Sequence, residues 1–123
     1  TWFGYVKWDM ISLIRGVHML RPIDMHLLCK IITHEELNKS TCVEISNYIG
    51  VVSSTVNNSL HRLHDSGLIV IDFENLRKNK NIKYRIVFNS CIHLLAFGVN
   101  YVFYDYQELI DDAKIALEIL RCK

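Results

Sequence analysis

The chain has 123 residues, of which half are hydrophobic and 11% aromatic, and its formal net charge is +1. This length and composition predict one folded domain and exclude a disordered chain. The net charge identifies no partner by itself, because the placement of charges matters more than their sum.

The N-terminal stretch is apolar but too charged for a membrane span. Lys7, Asp9 and Arg15 interrupt residues 2–20, whereas a spanning helix needs about 20 consecutive apolar residues. No signal peptide is recognisable, so we expect a cytoplasmic protein without a membrane partner. Apolar residues at helical spacing instead predict an amphipathic helix within 1–20.

A helix is predicted to restart at Pro22. Proline suits the first turn of a helix, where its missing N–H has no partner, and Asp24 complements the positive end of the helix dipole. An apolar stripe at helical spacing follows, made of Ile23, Leu27, Leu28 and Ile31. The stripe predicts that this helix packs on the core.

Two short helices around a glycine follow. Thr41 and Glu44 have the spacing of a capping box, in which each side chain binds the backbone N–H of the other residue. Gly50 is expected to end the first helix, and Ser53 or Ser54 to cap the second. Two helices joined by a few residues that include a glycine are typical of a helix-turn-helix.

The second of these helices is predicted to have one buried and one polar side. Val56, Leu60 and Leu63 share the apolar side, and Gly67 is expected to end the helix. The residues left on other sides are polar: Thr55, Asn57, Asn58, Ser59, His61 and Arg62. Two strands near 68–74 and 82–88 are then predicted to form a hairpin.

The predicted hairpin is strongly basic between and along its strands. Five of the fourteen basic residues of the chain lie within nine positions, with no acidic residue among them: Arg77, Lys78, Lys80, Lys83 and Arg85. Such a cluster suits DNA phosphates or an adjacent minor groove. The cluster therefore favours DNA as a partner although the whole chain is nearly neutral.

The last part of the chain, 90–122, contains no proline and predicts one long helix. At about 1.5 Å per residue, roughly thirty residues would extend about 45 Å, which is more than a domain of this size needs for its own core. The expected dimer contacts recur on one side of this helix: Leu95, Val99, Val102, Tyr106, Leu109, Ala113 and Leu120. A second apolar side contains Phe97, Tyr101 and Tyr104, so we expect a helix buried on two sides, one of them by a partner chain.

Residues 53–72, SSTVNNSLHRLHDSGLIVID, resemble the recognition helix and first wing strand of MarR-type and small archaeal winged-helix transcriptional regulators. A Ser-Thr-Val start, leucines at the spacing of Leu60 and Leu63, and a Gly-Leu-Ile exit recur in those families. The resemblance covers 22–88, and the helices flanking this core resemble those with which these regulators build dimers. It departs at Asn58, where the families often have a basic residue, and this departure bears on base preference.

The resemblance implies a fold that is mainly α with a small β-hairpin, an α+β winged helix-turn-helix forming a single domain over 1–123. It implies a homodimeric, sequence-specific regulator of transcription that binds double-stranded DNA and needs no cofactor. Some MarR-type proteins also have a pocket for a small-molecule effector. No nucleophile–base pair, phosphate-binding loop or metal-ligand set indicates an enzyme.

The chemistry of the major groove assigns a role to each candidate. Ser53, Ser54 and Thr55 would contact phosphates or base edges from the start of the helix. Asn57, Asn58 and His61 are candidates for reading bases, and Arg62 for a base or a phosphate. On the wing, Arg77, Lys78, Lys80 and Lys83 would bind the backbone or the minor groove.

Each of these features also has a simpler interpretation. A polar helix face or a basic hairpin alone is usually solvated, and only their order along the chain favours DNA. The alternative function is a winged-helix module for protein–protein interaction without specific DNA binding. His61 and His64 lie three residues apart, but no cysteine or acidic residue is placed to complete a metal site.

The four cysteines, Cys29, Cys42, Cys91 and Cys122, form no CxxC pair. A structural zinc site needs ligands at short spacing, so none is expected. Free buried thiols are the simplest expectation. The alternative is a disulfide, including a bridge between subunits through Cys91 or Cys122.

Overall fold

A computed structural model describes residues 20–99, 103 and 105–123, so the helix predicted within 1–20 lies outside the described residues except for Leu20. The helices, labelled in chain order, are α1 (Pro22–Thr33), α2 (Cys42–Ile49), α3 (Ser53–Asp65), α4 (Phe73–Arg77), α5 (Phe88–His93) and α6 (Gln107–Arg121). A short 3-10 helix spans Glu35–Lys39, and a π-helical turn spans Leu94–Gly98. Two strands, β1 (Ile69–Ile71) and β2 (Tyr84–Ile86), pair antiparallel. The prediction of a mainly helical α+β protein with a small hairpin is confirmed at this level.

Helix α1 lies inside the core and packs against both α3 and α6. Its apolar residues are almost fully buried: Met25, Leu27, Leu28, Ile31 and Ile32. Burial on more than one side explains why apolar residues occur in nearly every turn of this helix. Among the described residues, no helix is both long and apolar enough to cross a membrane.

The capping box predicted at the start of α2 is confirmed. The Thr41 N–H donates to Glu44 Oε1 at 3.2 Å, and the Glu44 N–H donates to Thr41 Oγ1 at 3.2 Å. At the other end Gly50 has φ +86°, a left-handed conformation that favours glycine. These two signals limit α2 to about two turns and lead directly into α3.

We expect Thr41→Ala to lower the free energy of unfolding by about 1 kcal/mol, because the Glu44 N–H loses its acceptor at the end of the helix. Urea unfolding followed by circular dichroism measures this change. Thr41→Ser is the matched control, since it keeps the hydroxyl and removes only a methyl group. If serine destabilised the protein as much as alanine, packing of the methyl group rather than the cap would stabilise α2.

Helix α3 has the buried side that was predicted, but it begins without the predicted serine cap. Val56, Leu60 and Leu63 are at most 1% exposed. Val52 is the N-cap residue, and no side chain caps this end of α3. Ser53 and Ser54 are instead the first residues of the helix. After α3, Gly67 has φ +77°, as expected for the residue that ends the helix.

The predicted hairpin exists, with shorter strands and a helix in its connection. Ile69 pairs with Ile86 and Ile71 with Tyr84, whereas 68, 72–74, 82–83 and 87–88, predicted as strand, lie outside the strands. The first strand ends early because the Asp72 side chain accepts hydrogen bonds from the N–H groups of the second and third residues after it, which starts α4.

The hairpin is tied to the segment between α1 and α2. The Ile82 N–H donates to the Ser40 carbonyl at 3.0 Å, and the Tyr84 N–H donates to Asn38 Oδ1 at 3.1 Å. Ile82 itself is fully buried. The basic residues of the hairpin are therefore carried by a connection that has its own fixed contacts with the body of the protein.

The prediction of one long helix over 90–122 is wrong. Helix α5 and its π-helical extension occupy 88–98, and α6 begins only at Gln107. Phe103, Asp105 and Tyr106 are not helical. Residues 97–106 combine glycine, asparagine, valines and aromatic residues, all of which form helices less readily than alanine or leucine. The interruption lets α6 pack against α1 and α5.

This interruption also corrects the predicted dimer interface. Five of the seven proposed contacts are buried in the core of the chain itself: Leu95, Val99, Leu109, Ala113 and Leu120. Tyr106 is 49% exposed, and Val102 lies outside the described residues. The periodic apolar residues thus serve intramolecular packing of two shorter helices, and side chains buried in this way have no surface left for a partner.

Candidate functional site

The polar side of α3 faces solvent near the start of the helix. Ser53, Ser54, Asn58 and His61 are exposed, and Thr55 and Asn57 are half-buried. With 3.6 residues per turn, residues 53, 54, 57, 58 and 61 fall on one side of a helix. The structure therefore brings together on one surface five of the seven residues that the sequence singled out on α3, which we call the α3 polar face: Ser53, Ser54, Asn57, Asn58 and His61.

The basic residues of the hairpin are all exposed: Arg77, Lys78, Lys80, Lys83 and Arg85. Lys78 forms an ion pair with Glu74 at 3.1 Å, one turn earlier on α4. Both partners are more than half exposed, so the pair adds little stability and holds Lys78 only weakly. We call these five residues the basic hairpin cluster.

Helix α4 connects the basic hairpin cluster to the α3 polar face. The rings of His61 and Phe73 stack, with centroids 4.5 Å apart and planes 12° from parallel. His64 meets the same phenyl ring edge-on at 4.6 Å. Phe73 is thus held between two histidines one turn apart on α3. This contact fixes α4 beside α3, and it explains the positions of His61 and His64 as packing partners.

An open groove runs between these elements. Ser53, Ser54, Asn57 and His61 line it from α3, and Arg77 and Asn79 line it from the hairpin. Apolar atoms of Val43, Phe73 and Leu76 contribute to its walls. The groove is therefore bordered by small polar groups on one side, and by the cation of Arg77 and the carboxylate of Glu74 on the other.

Arg62 does not belong to this surface. Its Nε donates to Asp24 Oδ2 at 2.7 Å and its Nη2 to Asp24 Oδ1 at 2.9 Å. This bidentate pairing holds the guanidinium against α1 and away from the groove, and it raises the pKa of Arg62 above its ordinary value. The predicted base or phosphate contact of Arg62 is replaced by a structural role.

Asp24 is the centre of a buried polar network that sequence reasoning missed. Its side chain is fully buried and also accepts hydrogen bonds from the Ser59 hydroxyl and from the Arg21 N–H, the latter at 2.8 Å. Ser59, expected on a polar side of α3, is itself fully buried. No signal links Asp24 to residues 35 and 38 positions later, because an acidic residue in a first helical turn is explained by the helix dipole alone.

Three of the four cysteines are free buried thiols: Cys29, Cys42 and Cys91. Burial raises the pKa of Cys29 and of Cys91 to about 12, so both stay protonated near neutral pH. The Cys91 thiol also donates to the Leu68 carbonyl at 3.2 Å. Cys122 alone among the described cysteines is exposed, so a bridge between subunits through Cys91 is not supported.

Comparison of the chain with protein-family models, with curated proteins and with solved structures finds no match. The family resemblance carried by residues 53–72 therefore stays a prediction. The function has to be inferred from the α3 polar face and the basic hairpin cluster themselves.

Proposed function

We propose that the chain is a winged helix-turn-helix protein that binds double-stranded DNA sequence-specifically and regulates transcription. In this interpretation α2 and α3 form the helix-turn-helix, and the segment from β1 to β2 forms the wing. The observation that supports the proposal most is the position of α4. It carries the start of the basic hairpin cluster and lies directly against the α3 polar face.

The electrostatics of this surface fit a DNA duplex. Duplex DNA carries about one negative charge per 1.7 Å of its axis, and neutralising phosphates with lysine and arginine provides the sequence-independent part of the affinity. Five exposed cations on one hairpin supply that part. Glu74 lines the groove as well, where its carboxylate pairs with Lys78, and Asp72 is exposed beside it. Asp105, Glu108 and Asp111 are exposed on the C-terminal segment.

The shape and chemistry of α3 suit insertion into the major groove. A major groove admits one α-helix, and recognition helices contact base edges with their N-terminal residues. The first two turns of α3 present short hydroxyl and amide side chains. Because no side chain caps this end, the backbone N–H groups of Ser53 and Ser54 are also available for a phosphate oxygen, whereas that of Thr55 donates to the Val52 carbonyl at 3.1 Å.

The proposal includes a homodimer, because two copies of α3 would then reach successive major grooves about 34 Å apart. The interface has to be built from surface that the core leaves free. Phe97, on the second apolar side of the predicted long helix, is 62% exposed, and Ile115 on α6 is 56% exposed. These residues replace Leu95 to Leu120 as the proposed dimer contacts.

We expect the double variant Arg77→Ala/Lys78→Ala to bind every duplex more weakly, by about tenfold to a hundredfold at 0.1 M salt, since two cations no longer neutralise phosphates. A plot of log affinity against log salt concentration should become shallower by about two. Fluorescence anisotropy with a labelled random-sequence duplex measures both quantities.

The matched control is Lys114→Ala/Arg121→Ala, which removes two exposed cations from α6. This control should leave the salt dependence unchanged. Equal effects of the two double variants would contradict a specific role of the wing. If the unaltered protein showed no salt-dependent binding to any duplex, DNA binding itself would be wrong. The exposed apolar residues Val43, Tyr48 and Val52 would then favour a protein-interaction module.

A further inference from the structure

The α3 polar face contains no cation that can read guanine. Arg62 is the only arginine or lysine of α3. Its pairing with Asp24 holds it against α1, its side chain is only 20% exposed, and it does not line the groove. Bidentate arginine or lysine is the commonest specific contact to guanine O6 and N7. The proposed recognition helix α3 therefore lacks, on its exposed side, the arginine or lysine that usually recognises a G·C pair.

The other candidates for G·C pairs on α3 are poorly placed. Asp65 could accept a hydrogen bond from cytosine N4, but it is the last residue of α3, about 18 Å along the helix axis from Ser53. Recognition helices contact bases with their N-terminal residues. One face of the His61 ring is covered by the Phe73 ring of the wing and is not available for a base.

Two amides remain as the main hydrogen-bonding groups of the face. Asn58 is exposed, and Asn57 lines the groove beside Ser53. Within the described part of the chain, neither side-chain amide forms a hydrogen bond with another protein group, so both are free to bind a ligand. An asparagine amide matches the N6 donor and the N7 acceptor of adenine.

Two exposed valines lie near the start of α3. Val52, immediately before α3, is 65% exposed, and Val43 is 44% exposed and lines the groove with Ser53 and Asn57. The C5-methyl group of thymine is the apolar group that a base pair presents in the major groove. The neighbouring basic hairpin cluster supplies the charge that would hold DNA against these valines.

We infer that this surface selects A·T base pairs in the major groove, with Asn57 and Asn58 on adenine edges and Val52 and Val43 on thymine methyl groups. The inference rests on the proposed DNA binding and specifies which base pairs that site recognises. It assigns the specificity to amides and valines rather than to the arginine or lysine that usually reads a major groove.

Four short duplexes of alternating sequence test this assignment: dA·dT, dA·dU, dG·dC and dI·dC. Uracil lacks the thymine methyl group. Inosine presents the same major-groove edge as guanine but lacks its minor-groove amino group. We expect dA·dT to bind tightest, and dA·dU to bind about fourfold more weakly for each thymine methyl group that a valine would have covered. We expect dI·dC to bind as weakly as dG·dC.

The outcomes separate the inference from the proposed function. If dI·dC bound as tightly as dA·dT, the minor groove would be read and the inference would be overturned, although DNA binding would stand. Equal binding of all four duplexes would also overturn it and leave a non-specific DNA-binding protein. If none of the four bound, the proposed function itself would fail.

Exposed variants then locate the contacts without disturbing the core. Val52→Ala should abolish much of the difference between dA·dT and dA·dU, whereas Val70→Ala, an exposed valine on β1, should leave it unchanged. Asn58→Ala should reduce the preference for dA·dT over dG·dC on the order of tenfold. Asn89→Ala, an exposed asparagine on α5, is its control. A uniform loss of affinity in Asn58→Ala would contradict base reading by that residue.

Discussion

Arg62→Met is expected to lower the free energy of unfolding by about 3–5 kcal/mol, because it leaves a buried carboxylate without its cation. Asp24 is fully buried, and without Arg62 its partners among the described residues are the Ser59 hydroxyl and the Arg21 N–H. The Arg62 side chain is 20% exposed, so some water can reach the vacated side and the loss should fall toward the lower value. Urea unfolding of the variant and of the unaltered protein measures the difference.

Two further variants separate the ion pair from simple loss of an arginine. Arg85→Met removes an exposed guanidinium and should change stability by at most about 0.5 kcal/mol. Asp24→Asn/Arg62→Met removes both charges while keeping an acceptor for Ser59. The double variant should be more stable than Arg62→Met alone, because the uncompensated buried charge is gone. A double variant no more stable than the single one would show that the charge of Asp24 is not the cause.

Arg62→Met also tests whether the Arg62 side chain has a structural role or contacts DNA. If the guanidinium serves only to hold α3 against α1, Arg62→Met should keep the salt dependence of DNA binding at a temperature where it is folded. A salt dependence shallower by about one would restore Arg62 as a phosphate contact.

Local signals in the sequence predicted the elements that build the site. The capping box of Thr41 and Glu44, the left-handed Gly50 and the spacing of Leu60 and Leu63 each act within a few residues, so they can be recognised without knowing the fold. The helix in the hairpin had such a signal as well. The Asp72 side chain accepts hydrogen bonds from the N–H groups of Glu74 and Asn75, which is typical of a helix start. The β-branched residues before Asp72 favoured a longer strand instead.

Tertiary contacts caused the larger errors. Asp24 and Arg62 form an ion pair although they are 38 residues apart in the chain. No local sequence pattern around either residue predicts this contact. Likewise, the apolar period of 90–122 is real, but periodicity alone cannot tell whether one long helix faces a partner chain or two shorter helices fold back onto the same core. Phe103, Asp105 and Tyr106, which are not helical, decide for two shorter helices.

Leu120→Ala tests that decision and should lower the free energy of unfolding by about 2–5 kcal/mol, because it opens a cavity in a packed core. Leu120 is 2% exposed in the single chain and belongs to the same cluster as the buried residues of α1. Val70→Ala, at a residue that is 40% exposed on β1, is the control and should cost far less. Thermal unfolding by circular dichroism gives both values.

Measuring the loss of stability caused by Leu120→Ala at several protein concentrations shows whether Leu120 lies in the core of one chain or in a subunit interface. If Leu120 packs inside one chain, this loss should be the same in dilute and concentrated protein, since no association is linked to it. A loss that shrinks as the concentration rises would instead place Leu120 in a subunit interface. Phe97→Ala should show the opposite behaviour: it should weaken self-association in sedimentation experiments while costing the monomer little, because most of that side chain is already in water. Contrasting effects of Leu120 and Phe97 would assign the periodic residues to the core and the proposed dimer contact to the exposed aromatic side chain.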